Sequence, residues 1–119
     1  MVAKTSQSES LAAELRRRLS GEVIAARDGG FEVARKVWNG CIDRRPALIA
    51  RCQETADVVA TVNFARDREL TLAVRGGGHS VVGFSTCDGG IVLDLSTMRL
   101  VDVDKKNRVA RAEPGCTWG

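Results

Sequence analysis

Leu70-Thr71-Leu72-Ala73-Val74-Arg75-Gly76-Gly77-Gly78-His79-Ser80 runs from an alternating apolar segment into three successive glycines and then the only histidine of the chain. Leu70, Leu72 and Val74 recur at strand period. Upstream, Pro46 precedes the short apolar run Ala47-Leu48-Ile49-Ala50, which reads as a buried strand. Between them, Thr55 is a good N-cap, Asp57 falls in a first turn, and Val58, Val62 and Ala65 form an apolar stripe. That spacing predicts a helix over Thr55–Arg68. Strand, helix and strand make Ala47–Val74 a βαβ unit, expected to be parallel and right-handed.

Downstream the pattern changes. Ile91-Val92-Leu93-Asp94-Leu95 reads as a strand buried on both faces apart from Asp94. Leu100–Val103 and Arg108–Ala112 read as two strands joined in a hairpin by Asp104-Lys105-Lys106-Asn107. The fold class is therefore α+β, a small βαβ subdomain followed by the start of a β-rich one. Towards the N-terminus, Leu11, Leu15 and Leu19 predict a helix over Ser8–Leu19 that Gly21 stops. Residues 1–7 are expected to be disordered. Asp28-Gly29-Gly30 is a turn, and a short helix is expected over Phe31–Trp38, ended by Asn39-Gly40.

The 119 residues suffice for one small domain, which buries roughly two-thirds of its unfolded surface. A hydrophobic content of 44% with 28% charged residues is that of an ordinary globular chain. The net charge of +3 is modest and the basic residues are scattered, so no nucleic-acid partner is expected. Arg16-Arg17-Arg18 reads as the solvated face of a helix. No signal-peptide core and no apolar stretch of membrane-spanning length are present, so no membrane partner is expected and the default compartment is cytoplasmic. Cys41, Cys52, Cys87 and Cys116 form no CxxC pair, and free thiols are the expectation there. Without suitable spacing or a second histidine, zinc is not expected. The end, Glu113-Pro114-Gly115-Cys116-Thr117-Trp118-Gly119, reads as a chain cut inside a larger fold.

The glycine run invites three phosphate-binding readings. A Walker A loop needs a lysine after its glycines, and none follows. A Rossmann loop needs a third glycine, where Val81 stands, and must open a helix; the segment onward to Gly90 has loop composition instead. A backbone nest remains, in which successive N–H groups form an anion-binding concavity. In it Arg75 either contributes charge-assisted hydrogen bonds to phosphate or supports the loop. His79 is a nucleophile or base candidate. A plain tight turn beside a surface histidine is the competing interpretation.

The motifs together resemble the N-terminal FAD-binding subdomain of the berberine bridge enzyme-like oxidases, within the vanillyl-alcohol oxidase/p-cresol methylhydroxylase (PCMH-type) flavoprotein superfamily. The resembling segments are Val37–Gly40, Asp43–Ile49, Ala73–Ser80, Cys87–Gly90, Val92–Met98 and Gly115–Gly119, in order and at family-like spacing. The resemblance implies FAD as cofactor and partner, with Arg75, Gly76, Gly77, Gly78, His79, Ser80 and Gly83 as cofactor-binding residues. It implies that main-chain N–H groups of the RGGGHS turn wrap the pyrophosphate. It makes His79 the candidate for covalent flavin attachment through an 8α-N-histidyl bond. The Asp88-Gly89-Gly90 turn would shape the same cleft, and Asp94-Leu95-Ser96 would be structural.

The cysteine that provides a second flavin link in many members is matched neither by Cys87 nor by Cys116. The later glycine-rich FAD segment, the substrate domain and the catalytic base are not matched either. The expectation is thus a partial PCMH-type domain over residues 8–119, supplying FAD binding and no catalytic residue. Hydride transfer from a small-molecule substrate to flavin, usually with O2 as acceptor, belongs to a full-length form. The alternatives are a non-catalytic flavin- or nucleotide-binding fragment and an inactive truncation product.

Overall fold

The computed structural model describes residues 2–118. Its elements are α1 (Val2–Arg16), β1 (Glu22–Ala25), α2 (Phe31–Ala34), β2 (Leu48–Arg51), α3 (Thr55–Asp67), β3 (Leu72–Arg75), β4 (Ile91–Asp94), β5 (Val101–Asp104) and β6 (Val109–Ala112). One four-stranded sheet has the order β1-β2-β4-β3, and β5 and β6 form a separate antiparallel hairpin. β2 and β3 both run parallel to β4, and β1 is antiparallel to β2.

The expected βαβ unit is present with one change: β4 sits between β2 and β3, so the two predicted partners are each bonded to a third strand. β4 can take that central place because its residues 91–94 are all buried, Asp94 included, contrary to the exposure expected of that carboxylate. The edge strand β1 was not anticipated from the sequence. It is only four residues long and follows Gly21, whose missing side chain lets the backbone pass: a Cβ there would lie 1.9 Å from the Arg51 carbonyl oxygen.

Strand alternation assigns the core to the two faces of this sheet. Val23, Ala25, Leu48, Ala50 and Ile91 face Ala12 and Leu15 of α1 and Phe64 and Ala65 of α3. Ile24, Ile49, Ala73 and Val92 face Phe31 and Ala34 of α2 and Cys87. Cys52, Leu93, Leu95 and Met98 extend the packing towards the carboxyl ends of the strands.

α1 starts at Val2 and ends at Arg16, so residues 2–7, expected to be disordered, are helical, and Leu19 lies past the helix while still packing on the core. The helix expected over Phe31–Trp38 is a single turn, Phe31–Ala34. In α3 the buried positions are Asp57, Thr61, Phe64 and Ala65, whereas Val62 is exposed; the stripe is rotated from the one expected. Glu54, not Thr55, takes the N-cap position and makes no side-chain cap. Asp57 instead ties the helix to the chain around it, its carboxylate accepting hydrogen bonds from the Ser20, Gly21 and Gln53 N–H groups at 2.8, 3.0 and 3.0 Å. No helix among the described residues is long and apolar enough to cross a membrane.

The candidate cofactor cradle

The glycine loop leaves the carboxyl end of β3, the edge of a parallel sheet where ligands of α/β sheets commonly bind. Leu95 N–H donates to the Arg75 carbonyl at 2.8 Å, the last rung before the chain departs. From there the N–H groups of Gly76, Gly77, Gly78, His79 and Ser80 donate to no group of the described residues. Successive main-chain donors left free at a turn form a concavity of the kind that suits an anion.

The glycines are held by contacts from several directions. A Cβ on Gly76 would lie 2.8 Å from the Pro114 carbonyl oxygen. One on Gly77 would lie 2.7 Å from His79 Cε1, because the imidazole folds back over that residue. Gly78 adopts φ +71°, a left-handed conformation that favours glycine, and its carbonyl accepts from Trp38 N–H at 2.9 Å. His79 is exposed and its ring makes no hydrogen bond among the described residues.

Arg75 lies beneath the loop. Its side chain is buried and its Nη2 lies 3.1 Å from Asp94 Oδ2. Ser80 is half-buried; its Oγ accepts from Phe84 N–H at 3.1 Å, closing the turn that follows. Gly83, with φ +84°, is buried against Ile42, and its carbonyl accepts from Arg44 Nη1 at 2.8 Å. These two residues shape the loop from within. The Ser85 and Thr86 hydroxyls, further along the same connection, are buried without a hydrogen-bond partner among the described residues.

Segments far apart in sequence thus converge on one loop. Trp38, Asn39 (Nδ2 to the Val81 carbonyl, 2.8 Å), Arg44 and Pro114 all touch it. The Asp88-Gly89-Gly90 turn does not. It precedes β4, Ala47 N–H donates to the Gly90 carbonyl at 2.8 Å, and a Cβ on Gly90 would meet the Thr71 carbonyl oxygen. That places it at the amino end of the parallel strands, one strand length from the glycine loop. A groove of about 840 Å³ at that same edge is lined by Leu11, Ala26, Pro46, Ala47 and Leu70.

The cysteines are all free. Burial pushes the thiols of Cys52 and Cys87 above the ordinary range, which suits packing residues and not nucleophiles. Asp94 is the residue whose burial the sequence did not disclose. Burial alone would raise its pKa, but the Arg75 charge and the hydrogen bond from Ser96 N–H outweigh it and hold the carboxyl below its usual value.

The described residues thus set a glycine loop with free main-chain donors and an unbonded imidazole at the carboxyl ends of the parallel strands. Comparisons with known proteins supply the class. Residues 46–119 match the family described as FAD binding domain. Over 101 residues the chain is 43% identical to (R)-6-hydroxynicotine oxidase of Paenarthrobacter nicotinovorans, covering 85% of this chain and 22% of that protein. The crystal structure of 6-hydroxy-D-nicotine oxidase from Arthrobacter nicotinovorans superposes with a TM-score of 0.70 at 45% identity, over 72% of this chain and 19% of that one. A berberine bridge enzyme-like protein of Physcomitrella patens shares the fold at a TM-score of 0.70 and 21% identity, over 82% and 21% of the two chains. The chain belongs to the FAD-binding-domain family of FAD-linked oxidoreductases. It spans about a fifth of the length of the curated relatives it matches.

Proposed function

We propose that the loop Arg75-Gly76-Gly77-Gly78-His79-Ser80 holds the FAD pyrophosphate and that His79 is the covalent attachment point for the flavin. The observation that carries this reading is the succession of five unpaired N–H groups ending at an exposed imidazole without hydrogen-bond partners. The donors of Gly76–Ser80 bind phosphate oxygens, and the absence of Cβ atoms at positions 76–78 lets those oxygens approach the main chain. Arg75 supports the loop from beneath, while Ser80 and Gly83 fix its curvature. The folded-back ring of His79 presents a nitrogen nucleophile at one end of the cradle. When bound, FAD supplies hydride acceptance at its flavin ring.

In the whole protein this site serves oxidation of a small-molecule substrate, usually with O2 as the final acceptor. This chain's own share is binding and tethering the cofactor. Four free cysteines fit a reducing, cytoplasmic setting.

The test is acid precipitation of the flavin-loaded protein. Flavin that stays with the denatured polypeptide, and that is lost in His79→Ala, supports the tether. Complete release of flavin from the unmutated protein excludes it.

A further inference from the structure

One row of the sheet is made entirely of charged residues. Glu22, Arg51, Asp94 and Arg75 occupy facing positions on β1, β2, β4 and β3. Strand alternation puts all four on the face that carries α2. Their side chains are joined: Arg51 Nη1 lies 3.1 Å from Glu22 Oε2, Arg51 Nε 3.2 Å from Asp94 Oδ2, and Arg75 Nη2 3.1 Å from the same oxygen. Ser96 N–H donates to the other carboxylate oxygen, Oδ1, at 3.0 Å. The central member, Asp94, is 1% exposed, while Glu22 at the far end is largely in solvent.

The row ends beneath the glycine loop. The Arg75 stem lies under Gly78, where a Cβ would be 3.4 Å from Arg75 Cδ. Arg75 Nη1 then reaches the Lys36 carbonyl at 3.4 Å, just beyond α2. Two residues further on, Trp38 N–H holds the Gly78 carbonyl from the other side. One guanidinium therefore links β4 to the 36–38 segment and passes under the left-handed glycine of the loop.

We propose that Asp94 is a positioning residue for the cradle: by anchoring Arg75 it fixes the floor on which Gly78 rests, so that the unpaired N–H groups are already arranged before flavin arrives. The proposal rests on the reading of this loop as the cofactor cradle. Its physical content is preorganisation: a loop ordered in advance loses less conformational freedom on binding. A buried carboxylate shared by two guanidiniums serves this purpose because removing it leaves buried charge uncompensated, and Arg75 must then move.

The experiment compares Asp94→Asn with the unmutated chain in two measurements. The first is 15N relaxation of the Gly76–Ser80 amides without flavin. The account expects order parameters near the rigid value of about 0.85 in the unmutated chain and below about 0.6 in Asp94→Asn. The second is FAD titration, where the dissociation constant is expected to rise about tenfold. Asp57→Asn is the control, because it removes another buried carboxylate remote from the loop; it is expected to lower stability while the loop stays ordered. Should Asp94→Asn not fold, Arg75→Lys replaces it. That variant keeps the charge but cannot bridge Asp94 and the Lys36 carbonyl, and the same loosening is expected.

An ordered loop in the Asp94 or Arg75 variant, equal loosening in Asp57→Asn, or a loosened loop with unchanged FAD affinity would each overturn the proposal. If the unmutated chain has an ordered loop yet no FAD affinity, the cradle reading fails, and the relaxation data alone decide whether Asp94 positions the loop.

Discussion

The imidazole of His79 lies against the α-carbon of Gly77, so close that a methyl group there would sit 2.7 Å from Cε1 and 2.8 Å from Nδ1. Glycine at position 77 is thus a requirement of the histidine's orientation. Gly77→Ala should turn the ring out of its place and weaken FAD binding about tenfold, equivalent to about 1.4 kcal/mol. Gly29→Ala has nothing within 4 Å of the added carbon and should leave affinity unchanged. Parallel FAD titrations of the two variants check this, and equal behaviour would contradict it.

Asp57 ties the start of α3 to the turn before β1 through three main-chain donors. Asp57→Ala should cost about 2 kcal/mol, because three N–H groups lose a charged acceptor. For a domain of this size that corresponds to a fall in Tm of roughly 8 °C. Thermal unfolding followed by circular dichroism measures it, and a fall of less than a degree or two would argue that water replaces the carboxylate freely.

The depressed pKa of Asp94 sets an acid limit. Because its carboxyl is held below the unfolded value of about 3.9, its contribution is fully present above that pH and is lost as pH falls through the folded pKa. Glu32, hydrogen-bonded by Arg45 and Arg35, is likewise lowered, to about 2. Urea unfolding at neutral pH and near pH 3 should show the gap between the unmutated chain and Asp94→Asn narrowing in acid. A gap independent of pH would mean that the carboxylate's charge is not what stabilises the fold.

The β5–β6 hairpin has solvent on every residue. Its register puts Val101, Val103, Ala110 and Ala112 on one face and Asp102, Asp104, Val109 and Arg111 on the other. Leu100 and Trp118 add to the exposed apolar area. A two-stranded ribbon is marginal by itself, and an uncovered apolar face promotes association. Val103→Asp should therefore reduce self-association in sedimentation experiments while the unfolding midpoint of the four-stranded sheet changes little. Unaltered association would locate the sticky surface elsewhere.

What the sequence disclosed and what it withheld follow from range. The glycine loop, its histidine, the 91–94 strand and the hairpin are local patterns, and all are present. β4 inserting between β2 and β3 is a long-range choice that no local periodicity encodes. Asp94 illustrates the same limit. An aspartate in an apolar strand reads as an exposed exception, because the two arginines that permit its burial lie 43 and 19 residues away in the chain. Arg75 reads from the sequence as either a phosphate ligand or a support, and its ion pair with Asp94, 19 residues on, is not visible to either reading. The resemblance groups Gly89 and Gly90 with the cleft around the glycine loop, yet they precede β4 and lie at the amino end of the parallel strands.

The central claim is that Gly76–Ser80 contacts the cofactor through main-chain N–H groups. A 15N-labelled sample titrated with FAD tests it amide by amide. The Gly76, Gly77, Gly78, His79 and Ser80 amide resonances should shift together on binding, while those around Asp88–Gly90 stay in place. Saturable binding that leaves these five amides unmoved would contradict it.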